Sequence, residues 1–169
     1  MISNRVEIAL NEQINAEFWS GYLYLSMSCH FEAQGLNGVA NWFRIQFQEE
    51  QAHALALIDY LHARGGQVIL SSIADVPTSW ANVKEAFVAT YEHEQKVTGM
   101  INLLYAIAEE EKDYATRHKL NGFIAEQVEE EENVTHILDS LNLIGEDRAG
   151  LYQLDLQLAQ RVYQEPTGL

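Results

Sequence analysis

Gln48-Glu49-Glu50-Gln51-Ala52-His53 is the stretch whose reading decides the fold. Glu50 and His53 stand three residues apart, which on a helix puts a carboxylate and an imidazole on adjacent turns of one face, within reach of one metal ion. The spacing alone is common on wet helix surfaces, so its register matters. Counting in helical steps from Glu50 finds Val39, Phe43, Phe47, Ala54, Leu57 and Leu61 on the same side, a core-facing stripe. A carboxylate in the middle of that stripe is costly to bury unless a counter-charge meets it. The stretch therefore predicts a buried helix face with a cation beside it.

The same counting applies to three more helical segments. Glu17 shares a face with Val6, Leu10, Ile14, Gly21 and Tyr24. Glu94 shares one with Phe87, Tyr91, Thr98, Ile101 and Tyr105. Gln127 and Glu130 flank a stripe of Leu120, Phe123, Val134 and Leu138. Each segment thus turns one carboxylate inward near its middle, and four anions in a dry core cannot all stay ionised unaided. A pair of divalent cations resolves the conflict. Oxygen ligands with one imidazole and no thiolate suit iron or manganese. The alternative for His53 is a hydrogen-bonded core histidine, and for the acids a proton-sharing network without metal.

Working outward, the first helix begins after Ser3 or Asn4, both good caps, and runs to about Ala33. Gln34 to Gly38 turns the chain, so a second helix from about Val39 to Arg64 returns antiparallel, with Gly65-Gly66 as its end. Gln67 to Ser79 carries serines, β-branched residues and Pro77 without helical period. That connection is long for one domain. The fifteen residues from Gly66 to Trp80 span about 50 Å when extended. A helix from Asn82 to Glu110 is roughly 43 Å long, so the loop can return along the whole bundle and let helices two and three run parallel. Helical signal continues from Asn82 to Leu141, too far for one globular helix, and a turn is expected at about 111–113. The fourth helix then runs to about Asn142, and a short fifth, about 146–163, carries Leu151, Leu154 and Leu158 against a bundle end or another subunit. The fold predicted is all-α: a four-helix bundle over about 4–142 with one long crossover, plus the fifth helix, in a single domain 1–169.

Composition narrows the function. Lys and Arg number 10 against 25 Asp and Glu, a formal charge of −15. That balance argues against nucleic acid and anionic membrane faces and for cations as partners. No apolar run reaches signal-peptide or membrane-span length, so a cytoplasmic protein is expected. The single cysteine, Cys29, suits a reducing compartment and reads as a small core residue. His30, His62, His93, His118 and His136 lack partners at ligand spacing and read as surface or interfacial.

Two further readings stay open on spacing alone. Glu126 and Glu129 to Glu132 are either a solvated run or, for Glu126 and Glu129 with Glu49, a weaker cation site sharing Glu130. Glu131 and Glu132 read as solvated. Tyr24, two turns from Glu17 on the same face, is either a core aromatic or a redox-active phenol beside the metals.

These residues resemble the ferritin family, specifically its bacterial non-haem branch, over nearly the whole chain: the helix order, the long crossover and the ligand set all match. The resemblance implies that Glu17, Glu50, His53, Glu94 and Glu130, with Gln127, form a ferroxidase centre. It implies that Glu49, Glu126 and Glu129, with Glu130, hold a third iron, and that Tyr24 is the family's tyrosine beside the centre. It further implies iron storage in a homo-oligomeric shell of 24 subunits, with Fe²⁺ oxidised by O2 or H2O2 and the fifth helix lining four-fold axes. Two departures from related di-iron bundles are informative. Where many carry a second Glu-x-x-His, this chain reads Gln127-Val128-Glu129-Glu130, giving the second iron poorer ligation, as expected of a passing substrate. Where bacterioferritins bind haem through a Met, this chain has Gln51, so no haem is expected. The competing readings are a di-iron oxygenase or peroxidase, a DNA-protecting mini-ferritin, and a bundle without metal chemistry.

Overall fold

Ser3 starts the first helix by accepting the Val6 N–H on its Oγ at 3.3 Å. The structure, a computed structural model, describes residues 2–166, so the ends of the expected 1–169 domain lie outside the described residues. Those residues form five helices and no strand: α1 (Asn4–Glu32), α2 (Asn37–Ala63), α3 (Val83–Glu110), α4 (Tyr114–Ile144) and α5 (Arg148–Leu158). Asn82 caps α3 through the Glu85 N–H at 2.9 Å, Asp113 caps α4 through the Thr116 N–H at 3.1 Å, and Asp147 caps α5 through Ala149 and Gly150. Gly65, with φ of 72°, ends α2 in the left-handed region, as its sequence predicts.

α2 has no cap of its own. Leu36 stands at its N-cap position, and the Val39 N–H donates to Asp155 Oδ1 of α5 at 2.8 Å. Gly38 allows this approach, because a Cβ built there meets the Asp155 carbonyl oxygen at 1.6 Å. Leu154 and Leu158 of α5 enter the bundle's core, so the fifth helix packs on an end of its own bundle. Four boundaries differ from expectation by two residues or more. α2 begins two residues early, α4 runs on to Ile144, and α5 begins at Arg148, not near 146, and stops at Leu158, not near 163. Past that point the Leu158 and Arg161 carbonyls accept from the Asn41 amide, at 3.2 and 3.0 Å.

The crossover runs along the outer face of α1. Asn11 binds the backbone of Gln67 and Ile69 (2.9 and 2.7 Å), Asn15 meets Ser71 and Ser72, Trp19 meets Asp75, and Ser26 meets Pro77. His30 Nε2 lies 3.1 Å from the Trp80 carbonyl. The loop therefore advances in the same direction as α1, reaches the starting end of α2, and leaves α2 and α3 parallel.

The core is divided in two. One cluster holds Tyr24, Phe43, Phe87 and Val134, and the other Ile14, Leu57, Val97 and Phe123. Between them on every bundle helix lie the buried polar residues: Glu17 on α1, Glu50 and His53 on α2, Glu94 on α3, Gln127 and Glu130 on α4. The α3 core face is turned slightly from the predicted one, with Thr90, Val97 and Leu104 buried and Tyr91, Thr98 and Tyr105 at its edge.

Two smaller expectations are corrected. Cys29 is exposed, not core, because α1 turns Tyr24, Met27, Ser28 and Phe31 inward and Cys29 falls off that face. Glu131 is half-buried, accepting the Thr98 hydroxyl at 2.6 Å, where a solvated side chain was expected.

Candidate metal centre

Glu17, Glu50 and His53 are 1%, 2% and 3% exposed. One ligand atom from each can be chosen so that all three lie within 4.8 Å of one another. His53 Nδ1 is 3.6 Å from Glu50 Oε2 and 4.0 Å from Glu17 Oε2, too far for hydrogen bonds. Both of those oxygens, and His53 Nε2, are buried without a partner. Lone pairs that converge without touching are what a cation organises, since an ion with bonds of about 2.1 Å holds neighbouring ligand atoms roughly 3 to 3.5 Å apart. Burial first, and the Glu50 charge next, push the Glu17 carboxyl well above its usual range. Burial and the Glu94 charge do the same to Glu50.

Glu94 and Glu130 face Glu50 from α3 and α4, near enough to raise its proton affinity, though outside the close group of three. Burial, then Glu130, lifts the Glu94 carboxyl to about 7. Gln127 Nε2 donates to Glu94 Oε2 at 3.1 Å and lies 3.3 Å from the Thr98 hydroxyl. The Tyr24 hydroxyl donates to Glu94 Oε1. Tyr24 is thus both a fully buried core aromatic and a phenol bonded to a site carboxylate.

The second acidic group is looser. Glu49 is half-buried, Glu126 half-buried and Glu129 exposed, and among the described residues they form no close group like that of Glu17, Glu50 and His53. They do feel one another. Glu130 raises Glu49, which burial lifts to about 7 against the opposing pull of Arg161. Burial raises Glu126, as do Glu129 and Glu130, while His53 opposes the shift.

Several residues of the site escaped the sequence reading. Gln13 donates to Glu17 Oε1 at 2.7 Å, and Gln46 donates to Glu130 Oε2 at 2.8 Å, both fully enclosed. Each amide stands four residues before a core glutamate, a signal the helical count could have used. His93, read from sequence as surface or interfacial, is half-buried. Its ring meets the Ser20 hydroxyl at 2.8 Å between Trp19 and Tyr24, and burial, with Lys96, pushes it down to about 4. Arg161 binds Glu49 from 112 positions away, and no local pattern announces that contact.

Known proteins share this fold. The ferritin-like domain family matches residues 7–144. A bacterial non-heme ferritin of Bacteroides fragilis is 46% identical over 161 residues, covering 95% of this chain and 100% of the relative. A probable bacterial non-heme ferritin-like protein of Haemophilus influenzae is 39% identical, covering 94% and 96%. Among solved structures, an open pore ferritin from the archaeon Archaeoglobus fulgidus superimposes with a TM-score of 0.95 at 46% identity, over 96% of this chain and 100% of that one. A humanized archaeal ferritin gives 0.96 at 44% identity, over 97% and 99%.

Proposed function

The chain belongs to the ferritin family, and from that premise we propose that it oxidises Fe²⁺ at a site inside each subunit and stores the product as ferric mineral in a homo-oligomeric shell, 24 subunits by family resemblance. The whole chain acts as one ferritin-like domain. The observation that carries the reading is that the buried residues Glu17, Glu50 and His53 bring one ligand atom each within 4.8 Å of one another, with Oε2 of both acids left without a hydrogen-bond partner.

Iron is the substrate here. Glu17, Glu50 and His53 take the first Fe²⁺, and Glu94 and Glu130, with Gln127 beside them, take the second, Glu50 serving both. Burial holds the Glu17, Glu50 and Glu94 carboxyls above their usual range, so a metal ion that binds them drives protons off. Two Fe²⁺ each lose one electron; O2 with two protons becomes H2O2, or H2O2 with two protons becomes two waters. Paired donors deliver both electrons to one oxidant and limit radical release. Tyr24, bonded to Glu94, orients that carboxylate and stands nearest as a phenol. Fe³⁺ then passes toward Glu49, Glu126 and Glu129, which are more exposed than the central acids and hold it less firmly on the way to the mineral. Gln51 is exposed and offers no thioether, which supports a haem-free protein.

Ferric absorbance after adding Fe²⁺ tests the reading. Glu50→Ala and His53→Ala slow oxidation by about tenfold or more, since each removes a direct ligand. Wild-type rates in both variants would reject the site. No helix among the described residues is long and apolar enough to cross a membrane.

A further inference from the structure

Beyond α5 the chain doubles back over α2 and brings Arg161 to Glu49. The guanidinium Nη2 is 2.7 Å from Glu49 Oε2, its Nη1 donates to the Trp42 carbonyl at 3.3 Å, and its Cζ sits 4.8 Å over the Trp42 ring. Asn41 fixes the segment from the other side through the Leu158 and Arg161 carbonyls. Four contacts thus hold one arginine, which cannot shed its charge. It also has no lone pair and cannot serve as a metal ligand. Glu49 lies in turn within electrostatic reach of Glu130, and Glu130 of Glu126.

We propose that Arg161 occupies the Glu49 side of the third cation position in the iron-free protein, so that a metal ion binds there only by displacing this guanidinium. The inference rests on the third position being real, as the proposed function has it. Its consequence is selectivity. A monovalent ion gains nothing by replacing an already well-bonded single charge, whereas a divalent or trivalent ion brings more charge and accepts the Glu49 lone pairs as ligands. The position therefore stays closed to potassium and sodium and opens to iron.

Zn²⁺, which has no redox chemistry, probes this on the metal-free whole protein. Isothermal titration of wild type resolves a weak class of sites beyond the tighter di-metal pair, and filling it changes Trp42 emission as Arg161 leaves the ring. Arg161→Gln tightens that weak class by about tenfold, the scale of one charge-assisted hydrogen bond. The tighter class is unchanged. Arg161→Lys, which keeps the charge, stays near wild type, and the emission change is lost in both Trp42→Phe and Arg161→Gln. An unaltered weak class in Arg161→Gln, or a weak class that fills with no change in Trp42 emission, overturns the proposal. If Glu49→Gln removes no class of Zn²⁺ sites in either arginine background, the third position itself is absent, and the reading beneath the proposal falls with it.

Discussion

Glu94 in the metal-free protein holds its proton up to about 7, against an ordinary 4.5, because burial and Glu130 oppose its ionisation. Between those two values the folded chain keeps a proton that the unfolded chain has lost, so stability falls as pH rises through that window. Glu17 and Glu50 shift in the same direction. Thermal midpoints of the metal-free protein are therefore expected to drop from about pH 5 to about pH 8, and saturating Zn²⁺ is expected to reverse the trend, because metal binds the ionised acids. A metal-free midpoint that rises over the same range contradicts this. At this scale the register was informative: every bundle residue that it turned inward as a ligand (Glu17, Glu50, His53, Glu94, Gln127, Glu130) is buried. Partners on other helices were not legible. Nothing local tells Gln46 that it will meet Glu130, or Ser20 that it will meet His93.

At the scale of elements, α2 owes its start to α5. Asp155 accepts the Val39 N–H in place of a local cap, and Gly38 clears the space. Asp155→Ala is expected to cost about 1 to 2 kcal/mol, as for other lost helix caps, read as a lower urea midpoint at unchanged slope. Gly38→Ala is expected to cost more, since the new methyl overlaps the Asp155 carbonyl and α5 must shift. Equal midpoints for wild type and Gly38→Ala would show that α5 sits elsewhere. Helix periods and caps gave the four long helices to within a residue or two, and arithmetic on the crossover gave the parallel pair. The crossover's seat was hidden, because Asn11, Asn15, Trp19, Ser26 and His30 look like an ordinary outward face until backbone from residues 67–80 lies against them. The seat of the segment after α5 was hidden for a similar reason: Asn41, far away in sequence, donates to its Leu158 and Arg161 carbonyls.

Over the whole molecule, a polar layer at mid-height separates two apolar clusters. A bundle built for stability alone would join them, since buried acids cost more than hydrophobic residues of similar size. The layer makes sense where cations complete it, and a formal charge of −15 draws cations toward the chain. A storage shell further predicts that purified protein given Fe²⁺ and air accumulates far more iron than one pair per subunit and runs as a large closed particle, checked by iron assay and light scattering. Iron uptake that stops at a pair per subunit would favour a fixed di-iron enzyme. The most direct measurement is anomalous diffraction at the iron edge from crystals soaked in Fe²⁺ without oxygen. Two peaks per subunit are predicted, one among Glu17, Glu50 and His53 and one among Glu50, Glu94 and Glu130. Iron found only on exposed acids, with the layer between the two clusters empty, would contradict the account.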